Sequence, residues 1–289
     1  EHPRAGVQYP RSVGELQAWF RTDADCLDYL EWLRWPDGFV CPRCSRAGGW
    51  LLGDGRFMCA GCGGRTTVTA GTIFDRTRTP LTVWFTACWI FASGKDGISA
   101  LSLKRLLEMG SYQTAWAMLH RLRSVLVRPG RERLAGIVEV DEAYIGGEEP
   151  GLRGGRARGK KVMVGVAVEI TEPRGMGRCR MAPLADGSAA SLHAFVADHV
   201  EPGARVITDG WAGYHGLEQR GYVHDRRSQR AARAGGDDPG ELMPAVHRVI
   251  SLAKRWLLGT HQGSVEPTHL PSYLDEFVFR FNRRTSRSR

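Results

Sequence analysis

The chain has 289 residues, 42% of them hydrophobic, enough for one sizeable core and smaller satellites, so two or three domains are expected. Forty Lys and Arg against 31 Asp and Glu give a formal charge of +9 and a pI near 9.5, a balance that favours a polyanionic partner, nucleic acid first. The longest apolar stretch, residues 81–92, falls short of the roughly 18 to 20 needed to span a bilayer, and the N-terminus lacks a charged-then-apolar signal pattern. Seven cysteines, four of them in two C-x-x-C pairs, point to metal ligation in a reducing cytoplasm instead of a disulfide framework.

In chain order, residues 1–37 form a helical lead-in: Leu16, Phe20, Leu27, Leu30 and Leu33 recur at helical intervals, with Asp23 and Asp25 near a second helix start. Residues 38–75 change to Gly, Cys, Arg and short β-prone runs, the composition of a metal-stapled ribbon without a proper core of its own. Cys41-Pro-Arg-Cys44 and Cys59-Ala-Gly-Cys62 stand 14 residues apart, close to the spacing of a four-cysteine zinc site. Four thiolates suit tetrahedral zinc and leave no open position for water, so the ion would be a folding staple and not a catalyst. Arg43, Arg46, Arg56 and Arg65 surround the site and suit either phosphate contact or a solvated basic face. Cys88 lies in an apolar helix and Cys26 in an amphipathic one, and both read as core-packing thiols and not ligands.

Residues 76–134 read as a helical DNA-binding segment. A buried helix over 81–93 is followed by two helices within 99–127, broken where Gly110 can end one and Ser111 can cap the next. In the second, Ala115, Met118, Leu119 and Leu122 share one face, while Gln113, Thr114, Arg121 and Arg123 are expected to point outward, as on a recognition helix. Any α-hairpin can imitate that pattern.

Residues 135–289 alternate β runs with helices, the pattern of an α/β domain, and the Gly and basic stretch 151–161 reads as a loop between its first two strands. Period-two alternation sets Ile137, Glu139 and Asp141 on one face of the first strand and Val138 and Val140 on the other. Asp209 closes a second strand and is followed by Gly210 and Trp211. Acids at strand ends face the crevice where α/β folds bind ligands, and paired aspartates suit the hard divalent cations of phosphoryl transfer; an isolated one also suits a turn or cap.

The combined motifs resemble a known family. Cys41-x-x-Cys44, Cys59-x-x-Cys62-x-x-Arg65-x-Thr67 and Gly71-Thr72-Ile73-Phe74 are followed by Val140-Asp141-Glu142-x-Tyr144-x-Gly146-Gly147 and Thr208-Asp209-Gly210. His247-x-x-x-Ser251-x-x-Lys254 and Tyr273-Leu-x-Glu276-Phe277-x-x-Arg280-x-Asn282-Arg283-Arg284 complete the set, which is similar to the ISXO-like insertion-sequence transposases of the DDE superfamily from about residue 12 to 284.

The resemblance implies an α/β chain with an RNase H-like catalytic domain at 135–289, preceded by the four-cysteine zinc ribbon and a helix-turn-helix-like segment. It implies structural Zn²⁺, two catalytic Mg²⁺ or Mn²⁺ ions, cleavage at the ends of a mobile element, and attack of the freed 3′-hydroxyl on target DNA. Asp141 and Asp209 match the family's first two acids, and Lys254 the Lys of its third motif. Seven residues before Lys254 stands His247 where the superfamily commonly has Glu, so the third ligand role is carried to His247. Glu139, Glu142, Glu266 and Glu276 are rivals for that role, Glu139 foremost because it shares the strand face of Asp141. Expected partners are double-stranded DNA, as terminal inverted repeats and target, and a second copy of the chain, since two ends must be held together; the expected compartment is the bacterial cytoplasm, at the nucleoid. A non-catalytic zinc-ribbon regulator and a nuclease that cuts without joining are the rival readings.

Overall fold

The computed structural model describes residues 2–4, 7–146, 161–171, 175–235, 238, 241–263 and 265–285. Gly147, nearly all of the basic stretch 151–161 and residues 286–289 lie outside the described residues. The chain divides into two compact units, one built on Glu1–Leu122 and one on Arg123–Ser286. Among the described residues no helix is long and apolar enough to cross a membrane.

In the first unit, α1 (Val13–Trp19) starts on Ser12, whose hydroxyl accepts from the Glu15 amide, and α2 (Asp23–Arg34) opens on a capping box of Thr22 and Asp25. Asp23 faces another partner and accepts from the Thr82 amide at 3.0 Å, joining α2 to α3 (Leu81–Ser93). The expected apolar face is partly corrected: Leu16 and Cys26 are buried, whereas Leu27 and Leu33 are exposed, because Phe20 and Tyr29 pack against Phe85 of α3 instead. The cysteine segment forms a three-stranded antiparallel sheet of β1 (Gly49–Leu51), β2 (Phe57–Cys59) and β3 (Arg65–Thr66). It does have a small core. Trp35, Phe39 and Phe57 meet with ring centroids 4.8, 5.0 and 5.1 Å apart, Val68 is buried with them, and Arg34 donates to the Thr67, Val68 and Ala70 carbonyls.

The two expected helices are α4 (Ala100–Leu106), capped by Ser99, and α5 (Tyr112–Arg123). Ala115, Met118, Leu119 and Leu122 are all buried, and Gln113 and Thr114 are exposed, as the helical period predicts. Arg121 is exposed, as expected, and Arg123 is not. Arg121 donates to the Ile73 and Asp75 carbonyls, and Arg123, expected to point outward, is 2% exposed and belongs to the second unit. There its Nε donates to Glu276 Oε2 at 2.7 Å and its guanidinium lies 4.1 Å from the centroid of Tyr273.

The second unit is a five-stranded sheet in the order β6-β5-β4-β7-β8. Strands β4 (Ile137–Ile145), β5 (Val162–Thr171) and β6 (Gly175–Pro183) form an antiparallel meander, and β7 (Arg205–Thr208) and β8 (Val223–Arg226) add parallel to β4. One strand, β5, thus opposes the other four. Helix α6 (Ala189–His199) covers one face, burying Val138 and Val140 with Leu192, Phe195 and Val196. A short helix α7 (Gln229–Gly235) follows β8, and helices α8 (Pro244–His261) and α9 (Leu270–Asn282) cover the other face, with Ile145, Val164, Val166 and Val168. The alternation read from the sequence therefore assigns each face of β4 correctly, and the layered mixed sheet is the RNase H-like architecture that the resemblance implies.

Candidate metal centres and catalytic site

The two cysteine turns are built alike. In each, the first Cys donates its amide five residues on, to Arg46 and to Gly64, and its carbonyl accepts from the residue four on, Ser45 and Gly63. These turns aim the sulfurs at one point: Cys41 Sγ lies 3.7 Å from Cys62 Sγ, and Cys44 Sγ 3.6 Å from Cys59 Sγ. Four sulfurs about 2.3 Å from a tetrahedral zinc ion would stand about 3.8 Å apart, so the cage already has the ion's size. At Cys59, backbone hydrogen bonds from Cys62 and Gly61 help draw the thiol down to about 6, whereas at Cys44, against a backbone bond from Arg46, the neighbouring sulfurs hold it up at about 11. Among the described residues this is the group of three or more Cys, His, Asp or Glu whose ligand atoms all lie within 4.8 Å of one another.

The sequence-predicted catalytic residues all fall in the second unit. Asp141 sits near the middle of β4 and His247 in the first turn of α8, and His247 Nε2 lies 3.4 Å from Asp141 Oδ2. Two donors about 2.1 Å from one ion at about 90 to 110° are roughly 3.0 to 3.5 Å apart, so this pair fits a shared divalent cation. Asp209 follows β7, whose parallel register pairs Ile137 with Arg205 and Glu139 with Ile207; two more residues bring Asp209 level with Asp141. Gly210, at φ +83°, turns the chain away immediately afterwards, and Asp209 Oδ1 accepts from the Trp211 amide at 2.9 Å. Asp209 is not gathered with Asp141 and His247 into a cluster as tight as the cysteines. Lys254, two helical turns beyond His247, has its pKa lowered by burial and by Lys161, against the opposing pull of Asp141.

The rival acids occupy other places. Glu139 is 4% exposed and accepts from the Val246 amide at 2.8 Å; burial raises its pKa, against that bond and the charges of Arg227 and His247. Glu142, on the opposite face, accepts from the Tyr214 hydroxyl at 2.7 Å. Glu276 is fully buried between Arg123 and Arg280, and Glu266 is exposed just before α9. Tyr214, singled out by no local pattern in the sequence, is fully buried, and its pKa is pushed well up by burial and by the neighbouring Glu142, Asp141 and Asp209.

A model of the ISXO2-like transposase domain matches residues 133–282, more than half of the chain. The chain belongs to that family. A transposase zinc-ribbon domain matches residues 21–65, which include the four cysteines of the cage. A protein of the transposable element ISH50 from Halobacterium salinarum is 27% identical over 285 residues, covering 90% of this chain and 91% of that protein. Among solved structures, a pre-cleavage Mos1 transpososome has a TM-score of 0.31 at 14% identity, covering 65% of this chain and 71% of that one. A simian T-cell lymphotropic virus intasome has a TM-score of 0.28 at 13% identity, covering 63% of each chain. Both likenesses are too distant to argue from.

Proposed function

We propose that the chain is a transposase that binds terminal inverted repeats and carries out metal-dependent strand cleavage and strand transfer, with Asp141, Asp209 and His247 holding Mg²⁺ or Mn²⁺ and Lys254 beside them. The observation that carries this reading is the 3.4 Å approach of His247 to Asp141, with Asp209 level on the adjacent parallel strand, in a chain of transposase family. Two ions bound there would activate the attacking oxygen and stabilise the leaving oxygen. The protein's own contribution is positional: β4 and β7 fix the two aspartates side by side, α8 brings the imidazole, and the Lys254 ammonium adds positive charge near the acids, where a phosphate would approach.

The working division is a helical lead-in at 1–37, a zinc ribbon at 38–75, a helical DNA-binding segment at 76–134 and the catalytic domain at 135–289. Zinc holds the ribbon, and Arg43 and Arg46 beside it meet phosphates, as does the basic stretch 150–161. Arg121 and Arg123 are left out of that role because they bond within the protein. A dimer or larger assembly on DNA, in the bacterial cytoplasm, follows from the need to pair two ends.

A duplex bearing a labelled terminal repeat, mixed with supercoiled target and Mn²⁺, tests the proposal. Cleaved ends joined to target are the expected product. Cleavage without joining would make the protein a nuclease, and binding without either a regulator.

A further inference from the structure

Strand β4 carries three acids in four residues, and the two that flank Asp141 are committed elsewhere. We propose that Glu139 and Glu142 are positioning residues, which hold the His247 helix and the Asp209 loop onto the strand bearing Asp141 without touching the ions themselves. This rests on the reading that Asp141, Asp209 and His247 form the divalent-cation site.

Helix α8 begins without a cap of its own. Its N-cap residue, Met243, makes no side-chain bond and its first residue is Pro244, so the amides of its first turn need an acceptor from another element. Glu139 supplies one across 107 residues of chain: its Oε2 accepts from the Val246 amide at 2.8 Å, inside the protein. Val246 immediately precedes His247, and Glu139 stands two residues from Asp141 on the same strand face, about 7 Å along β4. The cap and the His247–Asp141 contact therefore lie in one short closed circuit. Sliding or fraying of the first turn of α8 would break both.

The other circuit runs on the opposite face of β4. After Asp209 the chain turns at Gly210, Trp211 Nε1 donates to the Gly187 carbonyl at 3.1 Å, and a single 3₁₀ turn, Ala212–Tyr214, ends in a fully buried tyrosine. Its hydroxyl donates to Glu142 Oε2 at 2.7 Å, so the far end of the Asp209 loop is bonded to the residue next to Asp141. The β7 ladder ends at Thr208, one residue short of Asp209, so the loop bond adds to the hold that β7 gives the second aspartate.

Manganese binding to the zinc-loaded full-length protein, followed through the free Mn²⁺ electron paramagnetic resonance signal, tests the proposal without any turnover. Losing a partner that orients a metal ligand typically costs about 10- to 100-fold in metal affinity. Glu139→Ala and Tyr214→Phe are expected to weaken Mn²⁺ binding by at least about tenfold, whereas Glu139→Gln, whose amide oxygen can still accept from Val246, stays within about threefold of wild type. If Glu139→Gln binds as weakly as Glu139→Ala, Glu139 is itself a ligand and the proposal is overturned. If Tyr214→Phe, which removes one oxygen and keeps the packing, binds like wild type, the loop tie is overturned even should Glu139→Ala fail to fold. Asp141→Asn is the separate control: unchanged Mn²⁺ affinity there would overturn the metal-site reading itself, and a loss there beside wild-type affinity in the other three would overturn only this proposal.

Discussion

Replacing Glu276 with Gln isolates the charge at the centre of the second unit's most deeply buried ion network. Glu276 Oε2 accepts from Arg123 Nε at 2.7 Å and Oε1 accepts from Arg280 at 2.6 and 2.9 Å, with the Glu276 and Arg123 side chains 0% and 1% exposed. The amide keeps the shape but leaves the Arg123 guanidinium facing the Tyr273 ring with no counter-charge, and its Nη2 already has no hydrogen-bond partner. Stranding one buried partner costs about 3–5 kcal/mol, and a domain of 150 to 250 residues melts about 2–4 °C lower per kcal/mol, so the Tm should fall by about 6–20 °C. Thermal unfolding followed by circular dichroism measures it. The triple variant Arg123→Met, Glu276→Leu and Arg280→Met, which removes all three charges of the network, should recover much of the loss. A Glu276→Gln protein melting within about 2 °C of wild type would refute the view that this network holds the C-terminal helix in place.

Zinc removal by a chelator should abolish amide protection across residues 38–68 while the β4–β5 ladder keeps its own, because the aromatic cluster of Trp35, Phe39 and Phe57 is too small to replace the free energy of metal ligation; equal protection with and without zinc would contradict this. Acidification should destabilise the second unit through His199 and His224, whose pKa values burial lowers. The unfolded chain then takes up protons first, so their contribution is complete above about pH 6.5 and is lost as pH falls toward the folded values, at about 1.4 kcal/mol per pH unit for each histidine. Urea midpoints at pH 7 and 5.5 check the sign, and His224→Gln should flatten the slope.

The parts of the chain that were legible in sequence are those whose signal is local. The zinc cage follows from two C-x-x-C turns, and helices α3 to α5 from apolar periodicity with Gly110 and Ser111 between the last two. Face assignment on β4 was equally plain, since strand alternation alone separates Asp141 from Val140. Strands β6 and β8 were not legible. β6 carries Arg178 and Arg180 within the run, which read as loop until Glu169 and the Glu132 carbonyl are seen to receive them. β8 is four residues of a mostly polar edge. Arg123 shows the same limit most clearly: its helical position favours solvent, but its partner Glu276 lies 153 residues away. Glu139 was legible as an acid on the right face and not as a helix cap, because the capped helix is equally remote.

Asp141, Asp209 and His247 are proposed to form one cation site for phosphoryl transfer on DNA. Cleavage of a labelled terminal-repeat duplex, measured across Mg²⁺ and Mn²⁺ titrations beside a binding assay on the same duplex, tests it most directly. Asp141→Ala, Asp209→Ala and His247→Ala should each lose cleavage while binding DNA within about twofold of wild type, because affinity rests on phosphate contacts made elsewhere. His247→Glu should retain Mg²⁺-dependent cleavage, and the wild type should need less Mn²⁺ than Mg²⁺, since imidazole suits the softer ion. A His247→Ala protein that cleaves like wild type would show that the imidazole holds no catalytic ion.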